Sequence, residues 1–413
     1  MKKTAWLAAA KIAAALILIS AAANLHAQAS EVPHFERGDS VAVGGARIFD
    51  RIVYLPVKLN GSGPFAFVLD TGAGGMWGVD QSVADSLGLR STFIAKAGGA
   101  GEEAVDFNRV DSAAVSIDGL YFGPSAAIGL PLHRMDPHWG KRKDGLVGSD
   151  LLSALVTRID YEKGIVTFHE AAAYEYRGPG ARVPVQIAGG FILVEAQVLL
   201  YGKDAPIDAL FMIDTGVRQT VFNSPYSRVH GLPEQSPKTV TGVTGFGIGG
   251  VSRGVIGRVR GIRIGPCLIE NPVVSFSTDT AGALADTSFS GIIGADVLER
   301  FAVVLDYSRS SIFLDNNKSF GRPFEFDMSG IRFVMRGERF EAPEVSFVFD
   351  GSPAAEAGVK VGDVVTAIDG RSPASFTMET LRTYMQREGA AVRLDLKGGA
   401  GTKSLELRLR KLV

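Results

Sequence analysis

The chain has 413 residues, and its 43 Lys and Arg residues nearly balance its 44 Asp and Glu residues, which gives a formal net charge of −1. This length predicts two or three domains rather than one core. The balanced charge excludes a strongly basic nucleic-acid-binding surface. Hydrophobic residues make up 46%, too few for a protein that crosses a membrane many times, and 50 glycines between short β-branched runs favour a mainly β fold.

The first residues have the pattern of an export signal. Lys2 and Lys3 give a positive start, residues 12–23 are all apolar or small, and Ala27-Gln28-Ala29 offers a cleavage site. We therefore predict a signal peptide over residues 1–29. The apolar run is short for a membrane-spanning helix, which needs roughly 20 residues, and an uncleaved anchor is the alternative.

The single cysteine, Cys267, excludes an internal disulfide. No cysteine lies near the N-terminus to carry a lipid anchor. A folded exported protein without disulfides fits a bacterial periplasm or exterior. We expect an exported protein, periplasmic or secreted, with no membrane attachment after signal cleavage.

The first strands lead into an acidic turn. Residues 52–59 and 65–69 have strand patterns, and Asn60-Gly61 between them predicts a hairpin. The second of these strands runs directly into Asp70-Thr71-Gly72. A short helix is predicted next, with Asp80 as its N-cap and a glycine at its end.

The same order returns in the second half of the chain. Phe211-Met212-Ile213 runs into Asp214-Thr215-Gly216, which follows the first motif by 144 residues. A second element, two apolar residues and a glycine, also occurs twice, as Leu146-Val147-Gly148 and, 146 residues later, as Ile292-Ile293-Gly294. This shared order predicts an internal duplication, with one lobe over residues 40–170 and another over residues 185–318.

The two repeated aspartates point to a paired-carboxylate site. Two carboxyls within hydrogen-bond distance cannot both be charged cheaply, so Asp70 and Asp214 are expected to share a proton and to offer a base and an acid together. The adjacent residues are expected to fix the loops across the junction and to let the two backbones approach, and they are Thr71, Gly72, Thr215 and Gly216.

Residues 40 to 318 resemble an aspartic peptidase of the pepsin and retropepsin kind, on the two Asp-Thr-Gly motifs and the two apolar-apolar-Gly motifs. The resemblance implies that Asp70 and Asp214 are the catalytic acids, that the active site lies between two all-β lobes, and that the substrate is a peptide or protein. It implies no metal and no organic cofactor. It also implies closing hairpin flaps, for which the candidates are Gly98, Gly99, Phe246, Gly247, Ile248 and Gly249.

Other motifs are weaker. Gly250-Val251-Ser252-Arg253-Gly254 matches a serine-hydrolase elbow, but a strand pattern follows it where the elbow needs a helix. The glycines from Gly245 to Gly250 have dinucleotide-binding spacing, again without a following helix. His133, Asp136 and His138 are candidate metal ligands, but we interpret the polar segment 131–143 as a solvated loop.

Residues 322–413 resemble a PDZ domain in the permuted form of exported bacterial proteases. The resemblance is carried by residues 351–358, by Gly362-Asp363-Val364-Val365 and by Ile368-Asp369-Gly370. It implies an α+β domain that binds a peptide by strand addition, with a C-terminal peptide as the candidate ligand. The expected binding residues are Gly330, Ile331, Phe333, Leu381 and Met385. Gly330-Ile331-Arg332-Phe333 resembles the carboxylate-binding loop of that family, with Arg332 where a second glycine is usual. Leu381 and Met385 are alternatively core residues.

The sequence therefore predicts an exported aspartic endopeptidase made of duplicated β lobes and a PDZ domain. The alternative from a different class is a catalytically silent protein that binds peptides or acts as a scaffold. A further alternative pairs the lobes of two chains. The distance between the two carboxyls in a structure separates the first two hypotheses.

Overall fold

The strands of the protein form four β-sheets in a computed structural model that describes residues 33–75, 77–399 and 401–413. The predicted mainly β architecture with a C-terminal PDZ unit is confirmed. The predicted signal peptide, residues 1–29, lies outside the described residues. Within the described ranges, no helix is both long enough and apolar enough to cross a membrane.

Among the described residues, the first lobe contributes twelve strands and three short α-helices. The strands are β1 (His34–Phe35), β2 (Ser40–Ala42), β3 (Arg47–Phe49), β4 (Ile52–Leu59), β5 (Ser62–Leu69), β6 (Gly78–Asp80), β7 (Ser91–Ala97), β8 (Val105–Ile117), β9 (Leu120–Leu130), β10 (Gly145–Val147), β11 (Leu155–Asp160) and β12 (Ile165–Glu170). The α-helices are α1 (Gln81–Ser86), α2 (Asp136–Trp139) and α3 (Ser149–Leu152), and a 3-10 helix covers Leu132–Met135.

The second lobe repeats this plan. Its strands are β13 (Ala181–Pro184), β14 (Gln186–Ala188), β15 (Phe191–Leu199), β16 (Ile207–Ile213), β17 (Val221–Phe222), β18 (Val240–Gly247), β19 (Gly250–Arg258), β20 (Gly261–Ile264), β21 (Cys267–Glu270), β22 (Val273–Ser277), β23 (Gly291–Ile293), β24 (Phe301–Asp306) and β25 (Ser311–Asn316). The helices are α4 (Ser224–His230) and α5 (Ala295–Leu298), with 3-10 helices at Pro233–Gln235 and Ala283–Ala285.

The C-terminal unit is a five-stranded sheet with two α-helices. Its elements are β26 (Ile331–Arg336), β27 (Ala342–Val348), α6 (Pro353–Ala357), β28 (Val364–Ile368), a 3-10 helix (Pro373–Ser375), α7 (Met378–Tyr384), β29 (Ala391–Gly398) and β30 (Gly401–Arg408). The strand order is β26-β27-β28-β29-β30, so β26 is an edge strand. Strand addition requires an edge of this kind.

Each lobe has its own large sheet, and a third sheet joins them. The lobe sheets have nine and ten strands, and in each the strand before the Asp-Thr-Gly loop pairs in parallel with an apolar-apolar-Gly strand, β5 with β10 and β16 with β23. A six-stranded sheet in the order β13-β25-β24-β11-β12-β2 takes strands from both lobes. Because β11 pairs directly with β24, the two halves share one continuous hydrophobic core.

Local sequence signals explain several of these elements. Asn60 and Gly61 have φ values of 49° and 81°, which give the left-handed turn that suits a two-residue hairpin, as predicted. Asp80 caps α1 by accepting a hydrogen bond from the Ser82 amide at 2.9 Å, also as predicted. Phe67 and Phe211 occupy matching positions before the acidic loops, and both are buried. Each strand that leads to an acidic loop is therefore held in the core by a buried phenylalanine at the same position.

Candidate active site

The two acidic loops meet between the lobes. Asp70 follows β5, and its amide donates to the carbonyl of Val147 at 3.0 Å. Asp214 follows β16, and its amide donates to the carbonyl of Ile293 at the same distance. Each apolar-apolar-Gly strand therefore continues its pairing into the acidic loop beside it and fixes the direction in which the carboxyl projects.

The glycine of each loop makes room for the carboxyl of the other. A Cβ atom at Gly72 would lie 2.1 Å from Oδ2 of Asp214, and one at Gly216 would lie 2.4 Å from Cγ of Asp70. Both distances are far too short for a real side chain. The Gly72 amide donates to Oδ1 of Asp70 at 2.9 Å, and the Gly216 amide donates to Oδ1 of Asp214 at 2.8 Å. Only glycine allows this approach of the two carboxyls.

The threonines of the two motifs lock the loops together. The Thr71 hydroxyl donates to the carbonyl of Ile213 and the Thr215 hydroxyl donates to the carbonyl of Leu69, each at 2.7 Å. Each hydroxyl also accepts the backbone N–H of the other threonine at 3.1 Å. Both threonines are 0% exposed. The four bonds cross between the lobes in a shielded environment, where hydrogen bonds are strong and costly to lose.

The position of the carboxyl pair favours a shared proton. Burial raises the pKa of both Asp70 and Asp214, and the charge of Asp70 raises the pKa of Asp214 further, well above its usual range. Tyr161 and Tyr307, which directly follow β11 and β24 of the joining sheet, are also buried, and burial is the main reason that the pKa of each hydroxyl is raised. Two carboxyls held this close titrate as a unit with one proton between them.

Two hairpin tips meet over the carboxyl pair. The turn between β7 and β8 contacts the turn between β18 and β19, where the Gly249 amide donates to the Ala100 carbonyl and the Glu103 amide donates to the Gly249 carbonyl, each at 2.9 Å. Thr280 adds two hydrogen bonds to Glu102, at 2.6 and 2.8 Å. The six candidate flap residues all lie at these tips, namely Gly98, Gly99, Phe246, Gly247, Ile248 and Gly249. Their function as flaps stays a prediction.

The cleft under the tips has a volume of about 830 Å³. Its walls are mainly apolar and come from both lobes, with residues such as Phe107, Leu130, Leu146, Phe191, Leu193 and Phe289. His138 of α2 stacks on Phe246 of the second hairpin, with ring centroids 3.6 Å apart and an interplanar angle of 9°. Helix α2 therefore supports the tip of the opposite lobe, which contradicts the interpretation of segment 131–143 as a solvated loop.

A separate polar cluster lies on the first lobe. His133 Nδ1 is 3.2 Å from both Ser82 Oγ and Asp80 Oδ1, and its Nε2 is 3.3 Å from Asp144 Oδ1. The Ser82 hydroxyl donates to Asp80 at 2.6 Å, and the hydrogen bond to Asp144 is the main reason that the pKa of His133 is raised. The Ser82 hydroxyl donates to a carboxylate and both ring nitrogens of His133 face carboxylates, so the two side chains do not form a nucleophile and base. We therefore interpret the cluster as a structural polar network.

The metal and serine-elbow alternatives gain no support from the geometry. His133 is engaged by carboxylates and His138 by an aromatic ring. In the described ranges, no group of three or more His, Cys, Asp and Glu side chains is arranged to hold a metal ion. Ser252 lies within strand β19, so the strand-to-helix turn that a nucleophile elbow needs does not form there.

The PDZ unit joins both lobes at a charged junction. Asp50 is 7% exposed, accepts a hydrogen bond from Arg218 Nε at 2.8 Å and pairs with Arg382 of helix α7. Arg218 lies just after the second acidic loop. Arg332 of the PDZ unit donates from Nε to the carbonyl of Val243 on β18 at 3.4 Å. Charged contacts therefore connect the PDZ unit with the first lobe, with the second acidic loop and with a hairpin over the cleft.

The expected peptide-binding loop of the PDZ unit is occupied internally. The amides of Gly330 and Ile331 donate to Oδ1 of Asp327 at 2.6 and 3.3 Å. A C-terminal carboxylate at this loop has to replace the Asp327 carboxylate. The arginine that departs from the usual loop sequence, Arg332, also interacts with Asp327, whose charge partly opposes the burial that lowers the pKa of Arg332.

The remaining predicted groove residues lie in or beside the PDZ core. Leu381 and Met385 are fully buried in the core cluster, and Phe333 reaches the wall of the cleft between the lobes. Helix α2 of the first lobe packs across strand β26, and a Cβ atom at Gly140 would lie 2.7 Å from Cβ of Met378. The protease lobe itself therefore covers part of this groove, and the role of these residues in peptide binding stays a prediction.

Several residues at the site were not predicted from the sequence. They are the buried Lys143 and Trp139 in the cleft wall and the ionic set of Asp50, Arg218 and Arg382. The basic segment Lys141-Arg142-Lys143 offered one weak sign, because only Asp144 separates it from the apolar strand β10. The ionic set joins positions far apart in the chain, and no local pattern marks it.

A duplicated β unit that brings two carboxyls together between its lobes, followed by a separate five-stranded unit, defines the class of aspartic-protease-like folds with an added peptide-binding module. Comparison with known families agrees. Residues 55–151 match the family described as aspartyl protease, and residues 344–398 match the PDZ domain. The chain therefore combines an aspartyl protease domain with a C-terminal PDZ domain, as the sequence resemblance predicted.

Individual relatives are more distant. The "Probable CtpA-like serine protease" of Staphylococcus haemolyticus (strain JCSC1435) is 25% identical over 138 residues, which is 33% of this chain and 26% of that protein. The chain thus spans about a quarter of the length of this curated relative. The crystal structure of the aspartic proteinase from Irpex lacteus aligns with 68% of this chain and 99% of its own, at 12% identity and a TM-score of 0.42. The family matches and the curated relative support a protease with a PDZ domain.

Proposed function

We propose that the chain is an aspartic endopeptidase in which Asp70 and Asp214 activate a water molecule against a peptide carbonyl. The observation that carries this proposal is that the carboxyl of each aspartate lies against the glycine of the opposite loop, at the floor of the cleft. Burial and mutual repulsion keep one proton on the pair, so the pair supplies a base and an acid at the same time.

The reaction consumes one water molecule per bond. The ionised carboxylate accepts a proton from water as the water oxygen bonds to the carbonyl carbon, and the protonated carboxyl donates to the carbonyl oxygen. The tetrahedral intermediate then breaks its C–N bond: the carboxyl that took the proton from water donates it to the leaving nitrogen, and the other carboxylate takes back a proton from a hydroxyl of the intermediate. Thr71 and Thr215 hold the loops in register across the lobes, which keeps both carboxyls aimed at the same water.

The cleft suits an extended peptide beneath the hairpin tips, with apolar walls for side chains on either side of the cleaved bond. We further propose that the protein is exported by its signal peptide, residues 1–29, and works in a bacterial periplasm or outside the cell. The PDZ domain then serves to bind a peptide segment of the substrate or of a partner.

The test uses the full mature chain with a diverse peptide mixture, with and without a pepstatin-type inhibitor, followed by mass spectrometry. We expect cleavage that the inhibitor blocks and that Asp70→Asn or Asp214→Asn lowers by roughly 10³-fold or more. The same mixture reveals the alternative. A silent binding protein retains peptides without cleaving them, and the two Asn variants retain them equally well.

A further inference from the structure

The side chains that line the cleft include more cations than carboxylates. Apart from Asp70 and Asp214, one acidic side chain lines the cleft, Asp286, whereas the cationic side chains are Arg109, Lys143, Arg218, Arg332 and Arg382. The whole chain has a formal net charge of −1. The excess of cations is therefore local to the cleft lining, and only a cation without an acidic partner outside the lining is available to a negatively charged substrate.

Most of the cations nearest the PDZ unit already have partners. Arg218 and Arg382 share Asp50, and Arg332 donates to the Val243 carbonyl close to the charge of Asp327. These three side chains hold the PDZ unit to the lobes. Arg218 and Arg382 are therefore accounted for by structure, whereas Nη2 of Arg332 is buried without a hydrogen-bond partner among the described residues.

Lys143 has a different environment. It is 2% exposed, is separated from β10 by Asp144 alone, and its backbone amide donates to Oδ1 of Asp136 at 3.0 Å. Its side chain extends along the cleft wall over the ring of Trp139, within the field of the Asp70 charge. Among the residues that the structure describes, its Nζ atom has no hydrogen-bond acceptor and no ion-pair partner within 4.0 Å.

An ammonium group that lies in an apolar cleft wall without an acceptor is costly to keep charged. Burial lowers the pKa of Lys143 well below its usual range, although the charges of Asp70 and Asp136 oppose this effect. An acceptor that enters from the cleft removes the cost. A backbone carbonyl satisfies one N–H but leaves the positive charge unbalanced, whereas a carboxylate satisfies both the hydrogen bond and the charge.

We propose that Lys143 forms a subsite for a substrate carboxylate, so that the protease selects peptides in which an Asp or Glu residue lies next to the apolar residues at the cleaved bond. The apolar neighbours of the subsite, Leu146 and Trp139, fit the adjacent apolar side chain. This inference rests on the proposed function, since it names the substrate class of the same cleft.

The test compares two pools of apolar decapeptides. Each peptide of the first pool carries one Glu, placed at each position in turn, and the second pool is identical except that Gln replaces Glu. We expect the wild-type protein to cleave the best Glu peptide with a kcat/KM roughly 10- to 100-fold above its Gln counterpart. In Lys143→Met this Glu-to-Gln ratio falls to near one, and Lys143→Arg restores part of it. Lys141→Met is the matched control, because Lys141 lies over Phe49 and Tyr54 and does not line the cleft.

The outcome separates failure of this inference from failure of the proposed function. A wild-type ratio near one, or a ratio that Lys143→Met leaves unchanged, overturns the carboxylate subsite. If wild-type protein cleaves neither pool, the endopeptidase proposal fails, and the subsite is then decided by binding of the same pools to wild type and to Lys143→Met. A Glu preference that disappears in Lys143→Met supports it, and equal binding of the two pools by wild type refutes it.

Discussion

The hydrogen bonds that Thr71 and Thr215 make between the lobes lead to a prediction for Thr71→Val. Valine has nearly the shape of threonine, so packing is kept while the hydroxyl is lost. The Ile213 carbonyl then loses its donor at 2.7 Å, and the Thr215 amide loses its acceptor at 3.1 Å. Both groups are shielded from water, and each unsatisfied buried group costs about 1–3 kcal/mol, so we expect a total loss of about 2–6 kcal/mol.

Urea unfolding of the two lobes measures this loss, and peptide hydrolysis measures its effect on the site. We expect Thr71→Val to lower the unfolding midpoint and kcat together, because the acidic loops lose their register. Thr71→Ser is the matched control, since it keeps the hydroxyl and loses one methyl group, worth about 1 kcal/mol. If Thr71→Val costs no more than Thr71→Ser, the cross-lobe hydrogen bonds do not hold the site together and the reasoning is wrong.

Two further predictions concern buried charge. Asp50→Asn leaves Arg218 and Arg382 without their carboxylate. Because each arginine side chain is about a quarter exposed, we expect the free energy of unfolding to fall by about 2–4 kcal/mol and proteolysis between the lobes and the PDZ domain to become faster. Asp111→Asn, in an exposed ion pair, is the control and should change neither quantity. Asp214→Asn tests the raised pKa of Asp214. Because the pKa of Asp214 is higher in the folded than in the unfolded protein, its protonated form stabilises the wild type. This stabilisation is complete below the unfolded pKa of about 3.9 and is lost as the pH rises through the folded pKa. The thermal midpoint of the Asn variant should therefore gain on that of the wild type from pH 4 to pH 8, and a constant difference would contradict this.

Much of the architecture followed from short-range patterns in the sequence. The turn at Asn60-Gly61 and the capped helix after Asp80 depend on local backbone chemistry, which a few residues determine. The duplication was visible because two motifs recur in the same order at nearly the same spacing. The facing of Asp70 and Asp214 then needs only the close approach that their glycines allow.

The rest depends on contacts that no local pattern encodes. Segment 131–143 is polar, yet it forms short helices that pack against the PDZ domain and a hairpin tip, because the PDZ domain shields it from water. Lys143 is one of three consecutive basic residues, and the sequence does not say which of them turns inward. Leu381 and Met385 illustrate the same limit, since one apolar pattern describes both a groove wall and a core.

The covering of strand β26 by helix α2 has a thermodynamic consequence for any peptide that binds by strand addition. Such a peptide binds only the fraction of molecules in which the edge is exposed, so its apparent dissociation constant equals the intrinsic one divided by that fraction. An edge exposed in about one molecule in a hundred weakens binding about a hundredfold. The linkage is reciprocal. A peptide that binds the edge of β26 favours molecules in which α2 has left the edge and Phe246, by the same free energy that the covering of the edge costs peptide binding.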